Sequence, residues 1–286
     1  MDAVLQVENL TKQYSGFRLE QVSFSIPKGT IMGLIGENGA GKSTTIKAIL
    51  GLIHKDGGKV RFWGGESGLS KHQKEKIGVV FDEMGFYETL TPAKVGSISK
   101  AAYRQWDGTL YLSYLNRFAL PLEKEIKTFS RGMKRKLSIA TALSHHPDLL
   151  ILDEATSGLD PVMRDDMLDV FLEFVQDENH SVLMSSHITT DLEKIADYIT
   201  LMHQEKVLFC KTKDELRYRY GIIRCGAAVF DRIEKEEILA CRKDDYQWNV
   251  LVADKEKARR KYKTAVVDDA TIDDILLLHV KGEITK

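Results

Sequence analysis

Gly36, Gly41, Lys42 and Ser43 stand at the spacing Gly-x-x-x-x-Gly-Lys-Ser within Thr30 to Ile53, TIMGLIGENGAGKSTTIKAILGLI. Those residue types at that spacing can grip a polyphosphate. Gly36, Gly39 and Gly41 have no Cβ, so the backbone can take positive φ and wrap its N–H groups around phosphate oxygens. The helix expected to open near Lys42 would turn unpaired N–H donors and the positive end of its dipole toward the same anion. Lys42 brings a mobile charge for β and γ phosphates, and the Ser43 hydroxyl can ligate Mg²⁺. The plainer alternative, a glycine-rich turn capping an ordinary helix, is disfavoured by the apolar strand Ile31 to Ile35 before it and the amphipathic helix after it.

Three other places carry groups able to act on a phosphate. The apolar strand Leu149 to Leu152 ends in Asp153-Glu154, which would put one acid at Mg²⁺ and the next where a water could be activated. Read alone, the pair serves equally well as caps for the next helix. A second apolar strand, Val182 to Met184, ends in Ser185-Ser186-His187. A lone histidine there is ordinarily structural, yet at the C-terminal edge of a parallel sheet, where ligands bind, it is a candidate γ-phosphate contact. In FSRGMKRKLSIATAL (Phe129 to Leu143) a small Ser-x-Gly precedes a helix with Leu137, Ile139, Ala140 and Leu143 on its apolar side. Such a helix start can receive an anion.

The elements that must position these groups follow from periodicity. Residues 3 to 26 read as strands, Val22, Phe24 and Ile26 alternating with Gln21, Ser23 and Ser25. Tyr14 lies in the turn between them, where an aromatic usually packs. A Gly57-Gly58 turn leads to a β segment over Lys59 to Trp63. Ile77 to Phe81 is an unbroken apolar run, as a buried parallel strand should be, and ends in Asp82-Glu83. Pro92 to Ser144 is mostly helical in pattern, broken at Pro121. Ser157 to Pro161 turns into a further helix, with Pro161 suited to its first position. Strands alternating with helices, with ligand groups at strand ends, predict a three-layer α/β core.

Composition narrows the function classes. A chain of 286 residues holds one large domain and a small one, and 43% hydrophobic with 29% charged residues is the balance of a soluble globular protein. No apolar run approaches bilayer length, and MDAVLQVENL lacks the basic start of a signal peptide. A net charge of −1 argues against a general nucleic-acid footprint. Cys210, Cys225 and Cys241 show no metal-ligand spacing and read as free thiols.

Over roughly residues 3 to 210 these pieces, in this order, resemble the ATP-binding subunit of an ABC transporter. GENGAGKST (Gly36 to Thr44) is similar to the family's Walker A, FSRGM (Phe129 to Met133) to its LSGGQ signature, LLILDEATSGLDP (Leu149 to Pro161) to Walker B plus D-loop, and Ser185 to His187 to the switch histidine. The resemblance implies a P-loop ABC ATPase core (RecA-like parallel sheet, antiparallel β subdomain, helical subdomain about 83–144) over 1–210. A small C-terminal α/β appendage would follow over 211–286. It implies that Tyr14 stacks on adenine, and that Gly36, Glu37, Asn38, Gly39, Ala40, Gly41, Lys42, Ser43 and Thr44 hold the phosphates. Ser43 and Asp153 would hold Mg²⁺, Glu154 would act as general base, and His187 would contact the γ-phosphate. Ser130 and Gly132 would serve a partner's ATP, and Asp160 would cross the dimer interface. One set of motifs implies an ATP-dependent homodimer, or a heterodimer with a related chain, driving a separate membrane permease from the cytoplasmic face.

The chain departs from the family pattern in two places. Asp82 stands where Gln is common; it can still reach Mg²⁺ but cannot donate a hydrogen bond. Arg131 and Met133 replace Gly and Gln in the signature, a pattern similar to the bacitracin-resistance and peptide-export branch. Beyond Lys211, Tyr220 to Cys225 and Trp248 to Ala253 read as strands, Asp231 to Cys241 and Thr271 to Val280 as helices. Lys255, Lys257, Arg259, Arg260, Lys261 and Lys263 read as a solvated helix face, with anionic lipid headgroups the sharper alternative. Phe86, Tyr87, Tyr103 and Trp106 are candidates either for core packing or for receiving the permease's coupling helix. The rival classes are a soluble ABC ATPase acting on ribosomes or DNA and a P-loop phosphotransferase.

Overall fold

The computed structural model describes residues 2–83 and 85–283. Met1, Met84 and Ile284 to Lys286, which fall within the expected boundaries above, lie outside the described residues.

Strands β1 (Ala3–Tyr14) and β2 (Phe17–Pro27) form a hairpin closed by the pair Tyr14 and Phe17. Leu19, Val22, Phe24 and Ile26 turn inward while Ser23 and Ser25 stay exposed, as the alternation predicts. The fully buried β3 (Ile31–Ile35) runs through the phosphate loop into α1 (Lys42–Ile49). β4 (Gly57–Phe62) then pairs with β1 to complete a three-stranded sheet of order β2-β1-β4. The expected Gly57-Gly58 turn is therefore the start of a strand, and Gly58 takes a left-handed φ of 84° because a Cβ would lie 2.4 Å from the Asn9 carbonyl oxygen.

A short α2 (Lys71–Glu75) leads to β5 (Ile77–Val80). The helical stretch consists of α3 (Pro92–Ala102), α4 (Gly108–Arg117) and α5 (Arg131–Leu143). Pro121 lies in the α4–α5 break as expected. A second break precedes α4, where the Asp107 carboxylate accepts from the Thr109 and Leu110 N–H groups and caps the new helix. β6 (Leu149–Asp153), α6 (Pro161–Phe174), β7 (Ser181–Ser186), α7 (Thr189–Ile195), β8 (Tyr198–His203) and β9 (Lys206–Thr212) follow. The six-stranded sheet has the order β5-β6-β7-β3-β8-β9, parallel except for β9. β6, β7 and β3 are consecutive neighbours, with Asp153 opposite Ser185 and Ile35 opposite Ser186. Their C-terminal ends therefore open at one edge, about 5 Å apart from strand to strand.

The rest of the chain runs through α8 (Lys213–Arg219), β10 (Gly221–Cys225), α9 (Ala227–Phe230), β11 (Ala240–Asp244), β12 (Gln247–Val252), α10 (Lys255–Lys261), β13 (Val266–Asp269) and α11 (Ile272–Lys281). Its four strands make an antiparallel sheet of order β11-β12-β10-β13. The helix expected over Asp231 to Cys241 does not form. Helix ends at Phe230, one 3₁₀ turn covers Lys235–Glu237, and Ala240 and Cys241 pair with Leu251 and Val250. Pairing in the β11–β12 hairpin overrides a local helical pattern that had only Ile233 and Ile238 to anchor it. α11 returns to the larger sheet: the Glu193 carboxylate accepts from the Ile272 N–H at 2.7 Å, and the Thr189 hydroxyl donates to Asp273 at 3.0 Å.

The basic cluster is a solvated face at Lys257, Arg259, Arg260, Lys261 and Lys263, as expected, and departs from that reading at Lys255. Lys255 is buried and bound to Asp269 and the Arg217 carbonyl, Lys257 pairs with Glu237, Arg259 with Glu256 and Asp269, and Lys261 with Glu234 and Glu237. With four of the six cations already paired to nearby carboxylates, the face is a poor collector of anionic headgroups.

Candidate nucleotide-binding site

The phosphate loop is held close to β8. A Cβ on Gly36 would lie 2.4 Å from the Met202 carbonyl oxygen, so only glycine permits this approach. The loop enters α1 through Gly41 at φ 98°, and the Thr45 hydroxyl donates back to the Gly41 carbonyl at 2.9 Å. Lys42 is buried, its ammonium donating to the carbonyls of Gly36 (2.8 Å) and Glu37 (3.2 Å) and lying 3.3 Å from the Glu154 carboxylate.

Two linked networks sit at the adjoining strand ends. In the first, the hydroxyls of Ser43 (3.0 Å) and Ser185 (2.6 Å) both donate to Asp153 Oδ1. One hydroxyl and one carboxylate oxygen so placed fit Mg²⁺, a hard cation that takes few protein oxygens and completes its shell with phosphate and water. In the second, Glu154 uses one carboxylate oxygen for Lys42 and the other for His187 Nδ1, at 2.7 Å. Glu154 stands on left-handed backbone at φ 52°, its N–H bonded to Ser185. The structure thus joins Lys42, Ser43, Asp153, Glu154 and His187 in a continuous chain of contacts. Ser185, to which the sequence reading gave no role, is the hinge of both networks; its position at the end of a buried strand beside His187 was the available signal.

Tyr14, half exposed at the end of β1, lies 6.2 Å from Phe17 and has the Lys12 ammonium 4.9 Å over its ring. The two aromatics line a cavity of about 500 Å³ with Arg18, Gln204 and Lys206. Phe17 also reaches the phosphate loop, 3.5 Å from where a Gly41 Cβ would be. The cavity therefore adjoins the loop on the side where a base attached to the phosphates could lie. Phe17 and Arg18 were not singled out by sequence because they read as ordinary strand residues. His203 was likewise missed: it is buried at the end of β8, and its Nδ1 lies 3.2 Å from the Glu37 carboxylate without a hydrogen bond between them.

Other expected residues stand apart from this cluster. Ser130 is exposed and caps α5, its hydroxyl accepting from the Met133 N–H. Asp160 is exposed and caps α6 in the same manner at Met163. Asp82, expected at the metal, is instead engaged by Arg131 (2.8 Å) and Arg135 (2.7 Å) through one carboxylate oxygen. None of its hydrogen bonds among the described residues reaches Ser43 or Asp153. Partial burial pushes the Asp82 carboxyl up, but the hydrogen bonds from Arg131 and Arg135 outweigh that and hold it below the usual range. Of the aromatics near α3 and α4, Tyr103 stacks on His145 and Trp106 packs on Tyr111, whereas Tyr87 is 80% exposed.

Comparison with known proteins places these features among relatives. A profile described as ABC transporter matches residues 19–157. The lantibiotic transport ATP-binding protein SrtF of Streptococcus pyogenes is 36% identical over 215 residues, covering 74% of this chain and 92% of the relative. The bacitracin transport ATP-binding protein BcrA of Bacillus licheniformis is 34% identical over 230 residues, with 77% and 73% covered. A solved ATP-binding subunit of an ABC transporter superposes with a TM-score of 0.67 at 30% identity, over 75% of this chain and 92% of that one.

Proposed function

This chain belongs to the ABC transporter family as an ATP-binding, ATP-hydrolysing subunit, and on that premise we propose that two such subunits close head to tail around ATP and drive a membrane permease that exports peptide antimicrobials. Lantibiotic and bacitracin transport in the relatives' names supports the cargo class. Among the described residues no helix is long and apolar enough to cross a membrane, which fits a subunit held at the cytoplasmic face by a separate permease. Residues 1–210 form the ATPase in this reading, and 211–286 an accessory unit docked on it.

The reading is carried by the placement of Glu154 between Lys42 and His187. ATP entering the loop would draw the Lys42 ammonium from the Gly36 and Glu37 carbonyls onto the β and γ phosphates. Its departure leaves the Glu154 carboxylate free to accept a proton from a water at the γ-phosphorus. The water oxygen bonds to phosphorus, the bond to the β–γ bridging oxygen breaks, and ADP leaves with that electron pair. His187, anchored on Glu154, would stabilise charge developing on the γ-phosphoryl oxygens. Mg²⁺, held by Ser43 and Asp153, supplies charge neutralisation on the β and γ phosphates when bound. Tyr14, with Phe17 beneath it, would stack on adenine. Ser130, exposed at the α5 start, would reach the partner's γ-phosphate, and the N–H of Gly132, a residue itself buried against Met163, would support it.

Glu154→Gln tests this directly. It keeps shape and hydrogen bonding but removes the base, so phosphate release should fall about a hundredfold or more while ATP still binds and crosslinked dimers accumulate. Unchanged release, or only monomers with ATP, would reject the assignment.

A further inference from the structure

Two of the three residues at which the chain departs from the resembled pattern, Asp82 and Arg131, touch each other. Arg131, in the first turn of α5, donates through Nη2 to Asp82 just beyond β5, a contact across 49 residues of sequence. The same guanidinium lies against the turn that follows Glu154, at Gly158. A Cβ on Gly158 would meet Arg131 Nη1 at 2.6 Å and Cζ at 3.0 Å, and Gly158 has a left-handed φ of 72°. Asp82 is fixed from behind by Arg135, whose side chain is 2% exposed and which also donates to the Phe81 carbonyl. At the next residue, Gly132 meets the first turn of α6 so closely that a Cβ would lie 2.5 Å from the Met163 sulfur.

We propose that Arg131 is a positioning residue for hydrolysis, a clasp that locks the end of β5, the start of α5 and the Ser157–Asp160 turn into one unit through Asp82 and Gly158. The physical logic is one of shared constraint. Ser130 caps the helix that carries Arg131, and Asp160 ends the turn that Arg131 covers at Gly158, so the clasp limits how far apart and at what angle the two exposed oxygens are presented. A bare glycine at 131 would leave that relation to packing of Gly132 on Met163 alone. The buried Arg135 gives Asp82 a fixed orientation, so the more exposed Arg131 closes onto a preset carboxylate and loses little further freedom in doing so. Arg131 touches no group of the phosphate loop, so its effect is on turnover and not on the capture of ATP by the same chain.

This inference rests on the two-chain ATPase reading above, and the experiment separates the two. Phosphate release and binding of a fluorescent ATP analogue are measured on the full chain for wild type, Arg131→Gln, Asp82→Asn and the double variant, each first checked for folding by thermal melting. Arg131→Gln leaves the pair between buried Arg135 and Asp82 in place and should fold normally even if Asp82→Asn does not. The expected result is a kcat about fivefold or more lower in Arg131→Gln, with KM and analogue binding within twofold of wild type. The double variant should then be no slower than the slower single, because both changes open the same contact. Hydrogen exchange across 154–160 should quicken in Arg131→Gln. Normal kcat in a folded Arg131→Gln, or a loss shared equally by binding and turnover, overturns the clasp while leaving the ATPase reading intact. Absence of phosphate release from wild type would overturn that reading, and the clasp with it.

Discussion

Glu154 stands in left-handed backbone at φ 52°, a conformation that costs a non-glycine residue on the order of 1–2 kcal/mol. The cost is offset locally, because the Glu154 N–H is bonded to both the hydroxyl and the carbonyl of Ser185, and the turned backbone aims the carboxylate between Lys42 and His187. Ser185 therefore orients base and metal ligand together. Ser185→Ala removes its 2.6 Å donation to Asp153, a carboxylate that is almost fully buried. Loss of such an outer partner should raise the Mg²⁺ concentration for half-maximal phosphate release by about 10- to 100-fold. Folding stability should drop by about 1 kcal/mol. A magnesium titration of the variant that superimposes on wild type would show that Asp153 needs no such support. The motif residues were readable because their spacing is local: four residues separate Gly36 from Gly41, and Asp153 and Glu154 are adjacent. Ser185 acting on Asp153 across 32 residues, and Arg131 on Asp82 across 49, could not be read, since nothing in periodicity says which strand end faces which loop.

At the scale of elements, strand order does most of the work. β3, β6 and β7 were each legible as apolar runs, yet their adjacency, which brings three loops to one edge, is a property of the sheet and of its right-handed crossovers. The appendage was less legible. Its helix over Asp231 to Cys241 does not form because the tight β11–β12 hairpin draws Ala240 and Cys241 into a strand, while the partners of the exposed α10 charges, which lie on neighbouring elements, were not legible. Those partners make a testable prediction. Burial pushes the Glu237 carboxyl up, but hydrogen bonds from Lys257, Tyr262 and Lys261 overcome it and bring the value down to about 2. A carboxylate whose value falls on folding stabilises the folded state above its ordinary value of 4.5, and that contribution is lost as pH drops toward about 2. Glu237→Gln should therefore lower the melting temperature at pH 7, and its deficit relative to wild type should shrink steadily between pH 4.5 and pH 2. A deficit of constant size across that window would mean that packing, and not charge, ties α10 to the segment before β11.

For the whole molecule, the decisive feature is that Ser130 and Asp160 cap their own helices on exposed surface while the phosphate loop, Asp153 and Glu154 form a separate, largely buried cluster. If each ATP is completed by the partner's α5 start, lesions on the two halves complement each other between chains. A Lys42→Ala chain cannot hold phosphate but offers an intact Ser130; a Ser130→Ala chain has the reverse defect. Each homodimer carries the same lesion in both of its sites. In the mixed dimer both lesions fall in one site, and the other pairs an intact loop with an intact Ser130, as two-fold symmetry of a shared interface requires. Mixing the two inactive proteins in equal amounts should thus restore phosphate release to roughly a quarter of wild type, half the dimers being mixed and each having one good site of two. The recovery should grow with total protein concentration, because it depends on association; it should vanish when the Ser130→Ala chain, which supplies the intact loop, also carries Glu154→Gln, and survive when the Lys42→Ala chain carries it. Mixtures that stay as inactive as their components, under conditions where mixed dimers are captured by crosslinking, would place all the groups needed for hydrolysis, Ser130 included, within a single chain and overturn the shared site.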